Sequence, residues 1–189
     1  MSPTLEKDVL QVLIEDHAVL GWLADRLRGA RPGRARNVLF NELARLLGAH
    51  QTVVDLTVFP ALKACGWSGV SSEVLRSHMA MKRLLAEAIA VEREPADFDA
   101  AVRRLAPKVK VHCDLEQHHL VPVLHRTLDD DQRAQMAADA EQHLTRLLGE
   151  APRMHGDTDL EPDAEDLLEE AYVVLGSLPL QDAVPPLRH

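Results

Sequence analysis

Four histidines recur at spacings that repeat from one half of the chain to the other. His17 and His78 lie 61 positions apart, and His50 and His112 lie 62 positions apart. Imidazole nitrogens are common ligands of iron, zinc and copper. Four of them at equivalent positions of a repeat can converge on one metal centre.

A carboxylate follows the last of these histidines at a spacing that suits the same centre. Glu116 lies four positions after His112, so on a helix the two side chains share a face, one turn apart. A buried carboxylate without a cation is costly, and carboxylates can bridge two metal ions. His119 lies a further turn along and is either a fifth nitrogen ligand or a partner of Glu116.

The corresponding segment in the first half departs from this pattern. Both halves contain His-x9-Pro-x-Leu, and Pro60 precedes Pro122 by 62 positions, but Val54 stands where the second half has Glu116. Asp55 follows Val54 and points about 100° away from it around a helix. Asp55 is therefore either a solvated or interhelical polar residue or a replacement ligand.

The elements that must position these residues are predicted to be helices. Leu, Ala and Val supply most of the 46% hydrophobic content, and aromatic residues make up only 3%, which is typical of helical proteins. Apolar residues recur at steps of three and four and form a stripe along each helix, and each of the four repeated histidines lies on such a stripe. The predicted helices run to about Arg28, over roughly 34–64, from a cap at Ser71 or Ser72, and from a break at Pro95.

Four long helices with short connections predict an all-α protein, an antiparallel up-down four-helix bundle. Pro107 predicts a kink or a restart in the fourth helix. A fifth helix is predicted over 128–148 and a short one around 163–177. The chain is thus expected to contain a bundle over 1–128 and a C-terminal helical extension over 129–189 that packs on or beside it.

Composition excludes several kinds of partner. The net charge of −9 and the pI of about 5.5 argue against nucleic acid and anionic membrane surfaces, since both attract basic proteins. Two cysteines, Cys65 and Cys113, fit a reducing compartment. There is no basic start followed by an apolar signal core, and no uncharged run is long enough for a membrane span. These features predict a cytoplasmic protein.

The histidine pattern resembles the hemerythrin-like (HHE) family of cation-binding domains over about residues 8–128. The resemblance is carried by EDHAVL around His17, by His50 with the later FPAL, by SHMAM around His78, and by HCDLE from His112 with the later VPVL. That family has one histidine, then H-x3-E, one histidine, then H-x3-E. The resemblance implies two non-haem iron ions, which an oxo or hydroxo group can bridge; another divalent metal is an alternative.

Carried over residue by residue, the family pattern assigns five metal ligands, His17, His50, His78, His112 and Glu116. The H-x3-E of the second helix is incomplete because Val54 replaces its glutamate. Oxygen-carrying hemerythrins also use H-x4-D, a spacing that His50 and Asp55 satisfy, although they place it in their last helix. They carry H-x3-H in the third helix, where this chain has Lys82. Asp55 and, in the appended helix, Tyr172 are candidate replacement ligands.

Three functions are compatible with these residues. The first, implied by the resemblance, is the binding or sensing of O2, peroxide or nitric oxide at a di-iron centre. The second is an enzyme that consumes peroxide or nitric oxide there, although the sequence shows no clear general acid or base beyond the ligands. The third is a metal-poor bundle, altered at Val54, that acts as an interaction or regulatory module. The acidic extension over 149–189 could then contact a protein partner.

Overall fold

The helices follow the order expected from the sequence. A computed structural model describes residues 8–91 and 95–150, with side chains up to residue 147. Its helices are α1 (Val9–Gly29), α2 (Arg34–Val53, continued by Val54–Val58 and Phe59–Ala64), α3 (Ser68–Ala90), α4 (Pro95–Leu115, continued by Glu116–Leu120 and Val121–Thr127) and α5 (Asp130–Glu150). The described ranges contain no β-strand, and the all-α prediction is confirmed.

Helices α1 to α4 form a ring of neighbours. Helix α1 packs against α2 and α4, and α3 packs against α4 and α2. Short connections reverse the chain between them. Between α2 and α3, Gly66 adopts a φ of 83°, and the N–H of Trp67 donates to the carbonyl of Leu62. Glycine suits this left-handed conformation, which closes α2 and allows α3 to return alongside it.

Two local predictions differ from the structure. The predicted cap at Ser71 or Ser72 is wrong, because α3 already begins at Ser68 and both hydroxyls donate to backbone carbonyls one turn back. The restart considered at Pro107 does not occur, since α4 continues through it. Pro107 lies on the exposed face of the helix, where water can bond the carbonyl that proline leaves without an N–H partner.

Helices α2 and α4 each contain one π-helical turn, at corresponding places in the repeat. The turns span Val54–Val58 and Glu116–Leu120. In each, the N–H of the following residue donates to the carbonyl five positions earlier, not four. Each turn lies just before a proline, Pro60 or Pro122, which has no N–H and whose ring clashes with the carbonyl four residues back in a regular α-helix. The shared His-x9-Pro motif therefore coincides with a widened turn that begins four residues after each histidine.

Helix α5 closes one end of the bundle by packing against α1 and α2. Met136, Ala137 and Ala140 are buried in the same apolar cluster as residues of α1. The guanidinium of Arg133 donates to Asp8, whose other carboxylate oxygen caps the first turn of α1. The start of the predicted C-terminal extension therefore contributes to the core of the bundle.

Several predictions concern residues that lie outside the described ranges. These are the helix around 163–177 with Tyr172, and nearly all of the acidic extension over 149–189. The division at residue 128 into two domains stays a prediction. Among the described helices, none has a stretch of the length and hydropathy that a bilayer crossing requires.

Candidate metal centre

Five buried polar side chains form one layer across the bundle. They are His17 on α1, His50 on α2, His78 on α3, and His112 and Glu116 on α4, and none is more than 4% exposed. Two apolar clusters lie on either side of this layer. On α1, for example, Leu13 belongs to one cluster and Leu20 to the other. The histidines occupy core positions of the apolar stripes, so the packing that buries the leucines also buries the imidazoles.

The carboxylate of Glu116 lies among the four imidazoles. Its Oε2 atom is 3.0 Å from Nε2 of His17 and 3.2 Å from Nε2 of His50. Its Oε1 atom is 3.1 Å from Nε2 of His78 and 3.4 Å from Nε2 of His112. The ring centroids are closest within these same pairs, at 5.1 Å and 4.9 Å. Each carboxylate oxygen therefore faces one pair of histidines.

Several ring nitrogens of this layer have no hydrogen-bond partner among the described residues. Nε2 of His50 and of His112 lie near a carboxylate oxygen without hydrogen-bond geometry, and Nδ1 of His17 and of His112 are also unpartnered. Buried polar atoms are normally bonded, and a neutral imidazole nitrogen is a metal ligand. His50, His78, His112 and Glu116 offer ligand atoms within 4.8 Å of one another. The donor set therefore fits a metal ion.

The distances inside the layer agree with this fit. Ligand atoms bound to one ion at about 2.1 Å lie roughly 3.0–3.4 Å apart at octahedral to tetrahedral angles. The four nitrogen-to-oxygen distances around Glu116 run from 3.0 to 3.4 Å. Hydrogen bonds have similar lengths, so it is the unpartnered nitrogens, and not the distances, that distinguish a metal site from a hydrogen-bonded cluster.

Burial and mutual charge set the pKa values of the layer. Burial alone would raise the pKa of Glu116, but the charge of His50 and hydrogen bonds from the surrounding rings hold it well below its usual value. Burial opposes protonation of His50, yet the charge of Glu116 and the Asp16 carboxylate raise its pKa to about 10. Burial lowers the pKa of His112 to about 3. At neutral pH the metal-free layer therefore contains a carboxylate, an imidazolium and a neutral His112 ring.

Two further carboxylates contact the outer nitrogens of cluster histidines. Oδ2 of Asp16 lies 3.2 Å from Nδ1 of His50, and Oδ1 of Asp55 lies 3.0 Å from Nδ1 of His78. The other oxygen of Asp55 accepts a hydrogen bond from Nζ of Lys82 at 3.2 Å. Asp55, a predicted replacement ligand, thus has its carboxylate outside the layer, on the far nitrogen of a histidine.

Asp16 was not among the residues singled out from the sequence. Its signal is its place beside His17, because neighbouring residues on a helix point about 100° apart. His17 faces the centre of the bundle, and Asp16 consequently faces the adjacent helix α2, where it meets His50. Recognising this contact from sequence would have required the rotation of α1 relative to α2.

Two further positions of interest are His119, which lies away from the cluster, and Val54. The side chain of His119 is 53% exposed and contacts Glu73 at 3.4 Å. The π-helical turn that begins at Glu116 has more residues per turn than an α-helix, so a residue three positions on falls short of the same face. Val54, at the position equivalent to Glu116, is fully buried in the apolar cluster that includes Val58.

The fold and the site together define a helical bundle with a buried His/Glu cluster that could bind metal, an arrangement compatible with a hemerythrin-like site. Comparisons assign no family to the chain: no family model matches it, and no solved structure matches it. A curated protein of Nostoc sp. (strain PCC 7120 / SAG 25.82 / UTEX 2576), described as a DNA nickase, is 23% identical over 138 residues. The match covers 73% of this chain and 39% of that protein, so the chain spans well under half of its relative.

Proposed function

We propose that this chain is a hemerythrin-like protein that holds non-haem iron in the His/Glu cluster and binds or senses O2, peroxide or nitric oxide. The observation that carries the proposal is the convergence of four imidazoles, one from each helix of the bundle, on one fully buried carboxylate. The geometry supports a metal centre of nitrogen and oxygen donors. The resemblance adds the choice of iron and of a small-molecule ligand.

The pairing of histidines around Glu116 supports a centre with two ions. Oε2 faces His17 and His50, and Oε1 faces His78 and His112. One carboxylate can thus join two positions, each supplied with two imidazoles. Because Val54 replaces the second carboxylate of the family pattern, the protein supplies fewer ligands. Bound iron would contribute open coordination positions, which a diatomic molecule or peroxide can take.

The surroundings of the layer suit a small and weakly hydrated ligand. The apolar clusters on both sides exclude bulk water from the imidazoles. A hydrophobic shell of this kind controls solvent access to a metal site and so tunes its redox potential. The histidines and Glu116 would thus hold the metal, and the apolar clusters would limit its contact with water.

Metal analysis with an absorption spectrum tests the proposal. Protein purified without an affinity tag should contain near-stoichiometric iron, and its iron absorption band should change on addition of O2. If the protein neither retains nor takes up iron, the proposal is wrong and the metal-poor interaction module becomes the better description. Steady consumption of peroxide or nitric oxide would instead favour the enzyme.

The name of the Nostoc relative is not extended to this chain. The match leaves most of that protein uncovered, and a net charge of −9 opposes binding to the phosphate backbone of DNA. Metal-loaded protein should therefore leave supercoiled plasmid DNA intact. Nicking that disappears in Glu116→Ala would contradict this expectation and place DNA cleavage at the cluster.

A further inference from the structure

We propose that Asp55 and Asp16 are positioning residues of the metal centre, which hold His78 and His50 with Nδ1–H directed outward and Nε2 directed at the metal. The inference rests on the proposed metal centre and deepens it by naming the groups that orient two of its ligands. It also changes the role of Asp55 from replacement ligand to support of a ligand.

The contacts of Asp55 fix both the orientation and the tautomer of His78. An ionised carboxylate only accepts hydrogen bonds, so its 3.0 Å contact places a proton on Nδ1 of His78. The Nε2 atom of the same ring lies 3.1 Å from Glu116. In the neutral ring its lone pair is then available to a metal. The second oxygen of Asp55 accepts a hydrogen bond from the partly exposed Lys82.

Asp16 makes the same arrangement at His50. Its Oδ2 atom lies 3.2 Å from Nδ1, and Nε2 of the ring lies 3.2 Å from Glu116. Each support comes from the preceding helix, Asp16 from α1 and Asp55 from α2. Carboxylates in this position raise the basicity of a ligating histidine and commonly account for a 10–100-fold effect on metal affinity.

The other two histidines show that these contacts do not arise simply from burying imidazole. Nδ1 of His17 and of His112 have no partner among the described residues. The positions equivalent to Asp16 and Asp55 in the second half of the repeat hold Ser77 and Gln117, neither of which is a carboxylate. Among the described residues, a carboxylate therefore contacts Nδ1 in two of the four histidine rings.

The two supported rings are distributed evenly around the carboxylate of Glu116. His50 belongs to the pair that faces Oε2, and His78 belongs to the pair that faces Oε1. Each of the two proposed ion positions consequently has one histidine anchored by a carboxylate and one without such an anchor. The repeat is thus symmetric in its four histidines but not in the groups that orient them.

An alternative role for Asp55 is an ordinary surface ion pair with Lys82. Such pairs contribute little to stability and nothing to ligand orientation. Lys82→Met removes that pair and leaves the contact with His78, so it is a matched control. Glu73→Gln is a second control, because Glu73 contacts His119 in a carboxylate–histidine pair that lies outside the cluster.

The experiment measures the dissociation constant of Co(II) by competition with a chromophoric chelator. Asp55→Asn should weaken binding 10–100-fold, whereas Lys82→Met and Glu73→Gln should bind as the unaltered chain does. In Zn(II)-loaded protein labelled with nitrogen-15, the Nδ1–H signal of His78 should shift or vanish in Asp55→Asn and persist in both controls. Asp16→Asn carries the same two expectations for His50, and it decides the matter if the Asp55 variant does not fold.

The outcomes separate this inference from the proposed function. If the unaltered chain binds Co(II) but the Asp55 and Asp16 variants bind it equally well, the positioning role is wrong and the metal centre stands. A loss of affinity with unchanged Nδ1–H signals also contradicts positioning, since it indicates general destabilisation. Failure of the unaltered chain to bind Co(II), Zn(II) or iron would reject the metal centre and this role with it.

Discussion

Replacement of Glu116 by glutamine is the most informative single change, because it removes a charge and keeps the volume of the side chain. Glu116 is fully buried and contacts all four cluster histidines. In the metal-free protein its charge offsets the imidazolium of His50. The variant therefore tests the electrostatics of the layer without creating a cavity.

The size of the effect follows from the pKa of His50. An increase from 6.5 to about 10 corresponds to roughly 5 kcal/mol at about 1.4 kcal/mol per pKa unit. Removing one partner of a buried ion pair typically costs about 3–5 kcal/mol. Release of the proton from His50 limits the loss in Glu116→Gln. We expect the free energy of unfolding of the metal-free protein to fall by about 3–5 kcal/mol near neutral pH.

The pH dependence has a definite sign. The raised pKa of His50 stabilises the fold fully below 6.5, and this contribution is lost as the pH rises through about 10. The depressed pKa of Glu116 stabilises the fold above its usual 4.5, and this is lost as the pH falls through the lower folded value. The pair therefore contributes most to the free energy of unfolding between pH 4.5 and pH 6.5. In Glu116→Gln, stability should change less with pH on both sides of this range.

The assay is urea unfolding of chelator-treated protein at about pH 6, with Co(II) affinity measured in parallel. Glu73→Gln serves as the control, since this exposed carboxylate should change stability by less than about 0.5 kcal/mol. If Glu116→Gln unfolds at the same urea concentration as the unaltered chain, the electrostatic reasoning is wrong. If Glu116→Gln binds Co(II) as tightly as the unaltered chain, Glu116 is not a metal ligand.

Three further predictions concern the layer and the prolines of α4. Val54→Glu should bind Co(II) more tightly, measured by equilibrium dialysis, and the chelator-treated variant should unfold at a lower temperature than the unaltered chain. Val54→Gln is the uncharged control for both measurements. Pro122→Ala should relax the π-helical turn and weaken Co(II) binding, whereas Pro107→Ala should raise the free energy of unfolding by up to about 3 kcal/mol. Co(II) uptake between about pH 7 and pH 9 should release about one proton from His50 into an indicator dye; uptake without release would contradict the raised pKa of that ring.

The helices and the depth of the histidines could be predicted because both depend on periodicity. Leucine stripes fix which face of each helix is buried, and His17, His50, His78 and His112 occupy those stripes. Burial of the stripe carries the imidazoles inward whatever the detailed packing. The convergence of the four histidines at one level also follows from the offsets of 61 and 62 positions in the repeat.

The groups around the cluster could not be predicted in the same way. The contacts of Asp16 and Asp55 depend on how far each helix is rotated against its neighbour, which periodicity fixes only to within a fraction of a turn. The π-helical turns changed the register after His112, so His119, expected on the same face, lies exposed. Pro60 and Pro122 were visible as a repeat, but their effect on hydrogen bonding needed the backbone.

Val54 has a consequence for the metal-free state as well as for the ligand set. With Glu116 as the one carboxylate among the described side chains of the layer, the imidazolium of His50 offsets its charge without a metal. A second buried carboxylate at position 54 would need a second cation, because uncompensated buried charge is costly. Valine at this position therefore lowers the dependence of folding on metal. In the proposed metal centre it would also leave more of the coordination to ligands that the protein does not supply.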